Sequence, residues 1–137
     1  MIFPSGGPAP VVPVLTLQET LLVTLQGELH DGMAEQLQED INRRIADSGA
    51  TGVIIDISGV EIVDSFLGRI LAEIAASASL LAARTVVAGM RPAVAITLVE
   101  LGLTLPGLTT ALDVDRALEL LTRASTPSTS DGRERGT

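Results

Sequence analysis

The chain has 137 residues, 46% of them hydrophobic, with a net formal charge of −8 and no cysteine. This length leaves room for one domain with an aliphatic core, and no apolar run is long enough to cross a membrane. Because the sequence has no lysine and 17 acidic residues against nine arginines, it is a poor match for nucleic acid and favours a protein partner with a basic face.

The two ends of the chain differ in composition from its middle. Residues 1–11 are rich in Pro and Gly and are predicted to form a flexible N-terminal arm. Residues 124–137 lack apolar periodicity and are predicted to be a disordered tail. The N-terminus has no basic stretch followed by an apolar one, so we expect a cytoplasmic protein. The domain itself is expected at residues 12–123.

The first half of this domain predicts two strands, a helix and a third strand. Val12–Leu17 and Leu21–Gln26 read as strands joined by a turn at Gln18–Thr20. A helix is predicted from an N-cap at Asp31 to Gly49. It has one apolar face, formed by Met33, Leu37, Ile41 and Ile45. The apolar, β-branched run Gly52–Ile57 predicts a strand buried on both faces.

The second half alternates helices and strands. In order, we predict a helix Ser65–Ala83, a strand Thr85–Ala88, a helix Arg91–Leu101 with Pro92 in its first turn, a weak strand Leu105–Thr109, and a helix from an Asp113 cap through Arg123. The predicted fold is α/β with the order ββαβαβαβα. It has a mostly parallel five-stranded sheet, an N-terminal hairpin and four main helices.

The side chains available for catalysis are few. The only histidine is His30, and the chain lacks Cys, Lys, Tyr and Trp, so no metal cluster and no cofactor site is predicted. A triad of Ser65, His30 and an acid is compatible with the composition, but a surface His beside a helix cap is the favoured interpretation. Asp56 is expected to bond the loop after its strand, because a phospho-accepting receiver domain requires a lysine. We therefore predict that the protein is not an enzyme.

The segment EIVDSFLGRI, Glu61–Ile70, places a hydroxyl at the start of a helix. In the simplest interpretation Ser65, or Asp64 before it, caps the helix. The same geometry also suits phosphorylation, because free amides and the helix dipole accommodate a phosphate.

These residues carry a family resemblance. DSFLGRIL, with GMRPAVAITLVELG further on, resembles the STAS domains of anti-sigma-factor antagonists, and among them the RsbS-type antagonists of stressosomes. The resemblance extends from Pro13 to Leu121. It implies a scaffold that assembles with RsbR-type co-antagonists into a large hetero-oligomer, sequesters an RsbT-type switch kinase, and releases that kinase when phosphorylated. A phosphatase then resets the system.

The resemblance also implies site residues. Ser65 corresponds to the primary phosphoacceptor, and Thr97 to a secondary site that is modified in co-antagonists. The predicted partner interface consists of Glu61, Asp64, Ser65, Phe66 and Arg91. For Phe66 we favour core packing over a role as partner anchor, and Arg91 is either a solvated charge or part of a surface shared with Ser65.

Two further expectations concern a turn and an alternative function. Gly89 lies between a strand and a helix start, where a positive φ is expected. The alternative function is a ligand-binding STAS module. That alternative requires a sizeable apolar pocket, for which the sequence offers no residues beyond those assigned to the core.

Overall fold

The computed structural model describes residues 12–27, 31–62, 64–102 and 108–125. Their element order is ββαβαβαβα, as predicted. The strands are β1 (Val14–Leu17), β2 (Thr20–Gln26), β3 (Gly52–Gly59), β4 (Arg84–Ala88) and β5 (Thr109–Ala111). The helices are α1 (Asp31–Ser48), α2 (Ser65–Leu80), α3 (Pro92–Glu100) and α4 (Val114–Ser125). The predicted arm, His30 and most of the predicted tail lie outside the described residues.

The five strands form one sheet in the order β1-β2-β3-β4-β5. β1 and β2 pair antiparallel, which confirms the opening hairpin, and the other three pairs are parallel. Parallel strands point the same way, so the carboxyl ends of β3 and β4 meet at one edge of the sheet. α2 and α3 begin beyond this edge.

Side chains alternate between the two faces of the sheet. Each face is covered by a different set of helices. Ile55 and Val87, which are paired across β3 and β4, belong to a large core that also contains residues of α1, α2 and α3. Their neighbours Ile54 and Val86 belong to a smaller core with Ala117 of α4. Both faces of β3 are therefore buried, as its apolar sequence predicts.

α2 ends three residues earlier than predicted, at Leu80 rather than Ala83. The chain turns at Ala82, whose φ is +65°, and the amide of Ala83 donates to the carbonyl of Ala78 at 2.9 Å. This is a Schellman-type ending with alanine where glycine is usual, so the sequence carries no stop signal. Leu81, the C-cap residue, is 41% exposed.

The last strand also differs from its prediction. β5 shares only Thr109 with the predicted strand, and Leu108 precedes it; residues 105–107 lie outside the described part of the chain. Its position is set by pairing with β4, and the amide of Gly89 extends that pairing by donating to the carbonyl of Ala111 at 3.1 Å. Such a short edge strand has no alternating pattern to mark it in sequence. Elsewhere, β1 begins two residues later than predicted and β3 ends two residues later.

Candidate functional site

Ser65 is the first residue of α2 and is exposed. The cap of this helix is Asp64, whose backbone is extended and whose Oδ1 accepts a hydrogen bond from the amide of Leu67 at 3.1 Å. Of the two predicted caps, the aspartate is therefore the one observed. The hydroxyl of Ser65 makes no hydrogen bond within the described part of the chain. Because Asp64 caps the helix, the hydroxyl of Ser65 remains available for modification.

The first turn of α2 retains free backbone donors. The amide of Gly68 donates to the carbonyl of Asp64 at 3.4 Å, whereas those of Ser65 and Phe66 find no acceptor among the residues described. Unpaired amides at a helix start carry the positive end of the helix dipole. No acidic side chain lies in this first turn. These amides favour an anion on the Ser65 side chain, and the carboxylate of the Asp64 cap opposes it.

Phe66 is half-buried and packs against the larger core, which confirms the predicted packing. The Cζ atom of Arg69 lies 5.5 Å from the centroid of its ring, within the range of a cation–π contact. The ring of Phe66 thus contacts the core and is also covered by an arginine from the next turn. A contact of Phe66 with a partner stays a prediction.

Arg91, just before α3, reaches across to the neighbouring strand and the loop beyond it. Its Nε donates to the carbonyl of Ser58 at 3.0 Å, and its Nη1 lies 3.7 Å from Oε2 of Glu61. Arg91 is therefore more than a solvated charge. Glu61 lies in the loop that leads to α2, so this pair connects the start of α3 with the chain before α2. The ion pair itself is exposed and contributes little to stability.

Gly89 holds the β4–α3 connection against the end of β3. Its φ is +75°, which confirms the predicted left-handed conformation. A Cβ atom here would lie 2.9 Å from Cβ of Ser58 and 3.0 Å from Oδ1 of Asp56. That carboxylate accepts from the amide of Ser58 at 3.0 Å, so the expected bond from Asp56 to the following chain is confirmed. This close approach makes glycine necessary at position 89.

Thr97 occupies a different environment. It lies in the second turn of α3, is half-buried, and its Oγ1 donates to the carbonyl of Ala93 at 2.9 Å. Unlike Ser65, it is neither at a helix start nor free of hydrogen bonds. Its modification stays a prediction.

Sequence reasoning did not single out two participants in this site. Arg69 follows Ser65 by four residues, and that spacing on a helix was a usable signal. Ser58 contributes through its backbone carbonyl, for which a sequence carries no signal.

The surroundings of the site offer little to a small ligand. A hollow of about 330 Å³ beside it is lined by Asp56, Ser58, Gly89, Leu112, Asp113, Val114 and Asp115. Its three carboxylates contrast with the apolar pocket that a ligand-binding module requires. Among the residues described, no group of three or more side chains is suited to hold a metal ion, and no helix is long and apolar enough to span a membrane.

Comparison with known proteins identifies close structural relatives. A serine-to-glutamate variant of Moorella thermoacetica RsbS is 39% identical, with a TM-score of 0.72, over 82% of this chain and 96% of that one. A chain from a structure of the molecular architecture of the stressosome, described there as a signal integration and transduction hub, is 40% identical. Its TM-score is also 0.72, over 82% of this chain and 97% of that one.

A curated relative is longer. The RsbT co-antagonist protein RsbRA of Bacillus subtilis (strain 168) is 26% identical over 81% of this chain, which spans only 40% of RsbRA. The model of the STAS domain matches residues 12–117, from before β1 into α4. With the sheet order, the four helices and this match in agreement, the chain belongs to the STAS-domain family.

Proposed function

We propose that this protein is a stressosome antagonist that sequesters a switch kinase of the RsbT type and releases it when Ser65 is phosphorylated. The observation that carries the proposal is the environment of Ser65. It is exposed at the first position of α2, and because Asp64 caps the helix, the hydroxyl of Ser65 has no capping role. Identity of 39% to RsbS along nearly that protein's whole length supports the stressosome role.

The modification is compatible with the fold. In it, Oγ of Ser65 bonds to the γ-phosphorus of ATP held by the kinase, ADP leaves, and the hydroxyl proton passes to a base of the kinase. The free amides of the first turn favour the new negative charge, so α2 does not need to unfold. The chain itself acts by binding and not by catalysis.

Release of the kinase follows from electrostatics. The phosphate adds about −1.5 to −2 charges at pH 7. Exposed carboxylates lie nearby at Asp64 and Glu61, and Arg91 offsets only the second of them. The kinase recognises this surface in its unmodified form, so a phosphate there places a charge that has to lose its water opposite groups suited to a neutral hydroxyl, which weakens the complex.

Exposed apolar side chains support assembly with RsbR-type co-antagonists. On α3, Ile96 is 58% and Val99 is 76% exposed, and their spacing places them on one side of the helix. Leu15 on the edge strand β1 is 56% exposed. Contacts that bury such side chains contribute favourable free energy to a large hetero-oligomer. A phosphatase that removes the phosphate from Ser65 completes the proposed cycle.

A kinase assay with phosphosite mapping tests the switch. Incubation with an RsbT-type kinase and ATP is expected to label Ser65 first and Thr97 later or not at all, because the Thr97 hydroxyl is bonded within α3. Ser65→Ala is expected to abolish the early label and to remain bound to the kinase. Ser65→Asp is expected to weaken kinase binding only partly, since a carboxylate has less charge than a phosphate.

The matched control is Ser58→Ala, which removes another exposed hydroxyl near the site. It is expected to be labelled like the unaltered chain. Wild-type labelling of Ser65→Ala, or equal kinase affinity of modified and unmodified protein, contradicts the proposal.

A further inference from the structure

We propose that, when Ser65 is phosphorylated, the guanidinium of Arg69 leaves the ring of Phe66 and forms an ion pair with the phosphate. This inference rests on the proposed phosphorylation of Ser65. It adds a second consequence of modification, because the same event that adds charge to the surface also removes the arginine from an aromatic ring.

The position of Arg69 is the first argument. Ser65 and Arg69 are four residues apart on α2, so their Cβ atoms lie about 5–6 Å apart on one side of the helix. Helical side chains lean toward the N-terminus of their helix. The contact between Cζ of Arg69 and the ring of Phe66, at 5.5 Å, shows that this side chain does bend back toward the first turn.

The second argument is that the guanidinium of Arg69 is not already committed to a carboxylate. The ion pairs found in the described part of the chain join Arg44 to Asp40, Arg91 to Glu61, and Arg116 to Asp113. Arg69 is exposed, and in the part of the chain that the structure describes it has no ion pair or hydrogen bond; its ring contact with Phe66 is a weak interaction at the surface. A phosphate offers a guanidinium charge-assisted, bidentate hydrogen bonds, which are stronger.

Arg91 is the competing cation near the site, and the structure disfavours it. Its Nε is bonded to the carbonyl of Ser58 and its Nη1 is paired with Glu61. A role for Arg91 at the phosphate therefore competes with the bond that ties the start of α3 to β3 and with the ion pair to Glu61. Arg69 gives up only its ring contact, so transfer to the phosphate costs it less.

The movement has a consequence for the surface. When Arg69 turns to the phosphate, the side of the Phe66 ring that it covered becomes accessible. The phosphorylated protein therefore differs from the unmodified one in apolar surface as well as in charge, and the guanidinium neutralises part of the phosphate. Partners are given two differences by which to distinguish the two forms.

The test uses the full chain with phosphoserine incorporated at position 65 during synthesis, so that no kinase is needed. A phosphorus NMR titration gives the second pKa of the phosphate, which is about 6 in a free phosphoserine. A nearby arginine favours the dianion, so this pKa is expected to be about 0.3 lower in the unaltered chain than in Arg69→Gln. The Nε–H signal of Arg69 is expected to move with the same midpoint.

Two matched variants complete the design. Arg84→Gln removes an exposed arginine from the amino end of β4, away from the edge where α2 begins, and is expected to leave the phosphate pKa unchanged. Arg91→Gln is expected to change it less than Arg69→Gln. The proposal is overturned if Arg69→Gln leaves the pKa unchanged, if either control raises it as much, or if the Arg69 signal ignores the titration. Since the phosphate is built in, these outcomes are independent of whether a kinase modifies Ser65.

Discussion

α2 and α3 begin at the same edge of the sheet, one strand apart, yet their starts are built differently. At α2 the side chain of Asp64 caps the helix and the next residue, Ser65, keeps a free hydroxyl. At α3 the N-cap is Arg91, whose side chain makes no cap bond but binds the carbonyl of Ser58, and Pro92 follows with no amide to satisfy. One start is open to modification, whereas the other holds two connections together.

Because of this difference, we expect substitutions at the start of α2 to destabilise the fold less than substitutions at the start of α3. A helix that is capped by one residue and modified at the next separates stability from signalling. A helix start that is anchored through Gly89 and Arg91 has no such separation, because its residues contact β3 and the chain that follows it. The predictions below test that contrast, from the largest expected effect to the smallest.

The largest effect is expected at the α3 side, from Gly89→Ala. The substituted residue has to keep a φ of +75° and place its Cβ within 3.0 Å of two side-chain atoms. We expect a loss of about 3 kcal/mol of unfolding free energy, measured by chemical denaturation. Gly49→Ala is the control, since its φ is +73° and its added Cβ meets nothing within 4 Å. It is expected to cost about 1 kcal/mol, and equal losses would show that crowding at Gly89 is unimportant.

A smaller effect is expected from Asp64→Ala at the start of α2. Removal of the bond to the amide of Leu67 is expected to cost about 1 kcal/mol, a usual value for an N-cap. Ser65→Ala, one residue further on, is expected to cost less than about 0.5 kcal/mol because its hydroxyl has no capping role. Thermal and denaturant unfolding of the two variants measures the difference. A larger loss for Ser65→Ala would return the capping role to the serine.

The smallest effect is expected from Glu61→Gln. The pair with Arg91 is exposed and 3.7 Å long, so its loss is expected to cost at most about 0.5 kcal/mol, and less as salt is added. Arg91→Gln is expected to cost more, because it also removes the bond to the carbonyl of Ser58. A double-mutant cycle separates the two contributions. If Glu61→Gln proves as costly as Arg91→Gln, the ion pair and not the carbonyl bond anchors Arg91.

Local patterns in the sequence were sufficient for the order of elements and for much of the site. Apolar periodicity marks α1, and the β-branched run in β3 marks a strand buried on both faces. The DSFLGRIL segment places Ser65 at a helix start and, with GMRPAVAITLVELG, identifies the STAS family. These features depend on neighbours within a few residues, since caps, amphipathic faces and short motifs are local.

Tertiary contacts decided the rest. β5 is a strand only where β4 offers it backbone partners, and α2 stops at Leu80 through a turn that alanine rarely makes. From the sequence, Arg91 was interpreted either as a solvated charge or as part of a surface shared with Ser65. Its bond to a backbone carbonyl 33 residues away is visible only in the folded structure. Each of these depends on atoms that are distant along the chain. The residues next to each contacting group in the sequence do not predict such a contact, because its free energy depends on a second group that folding brings close.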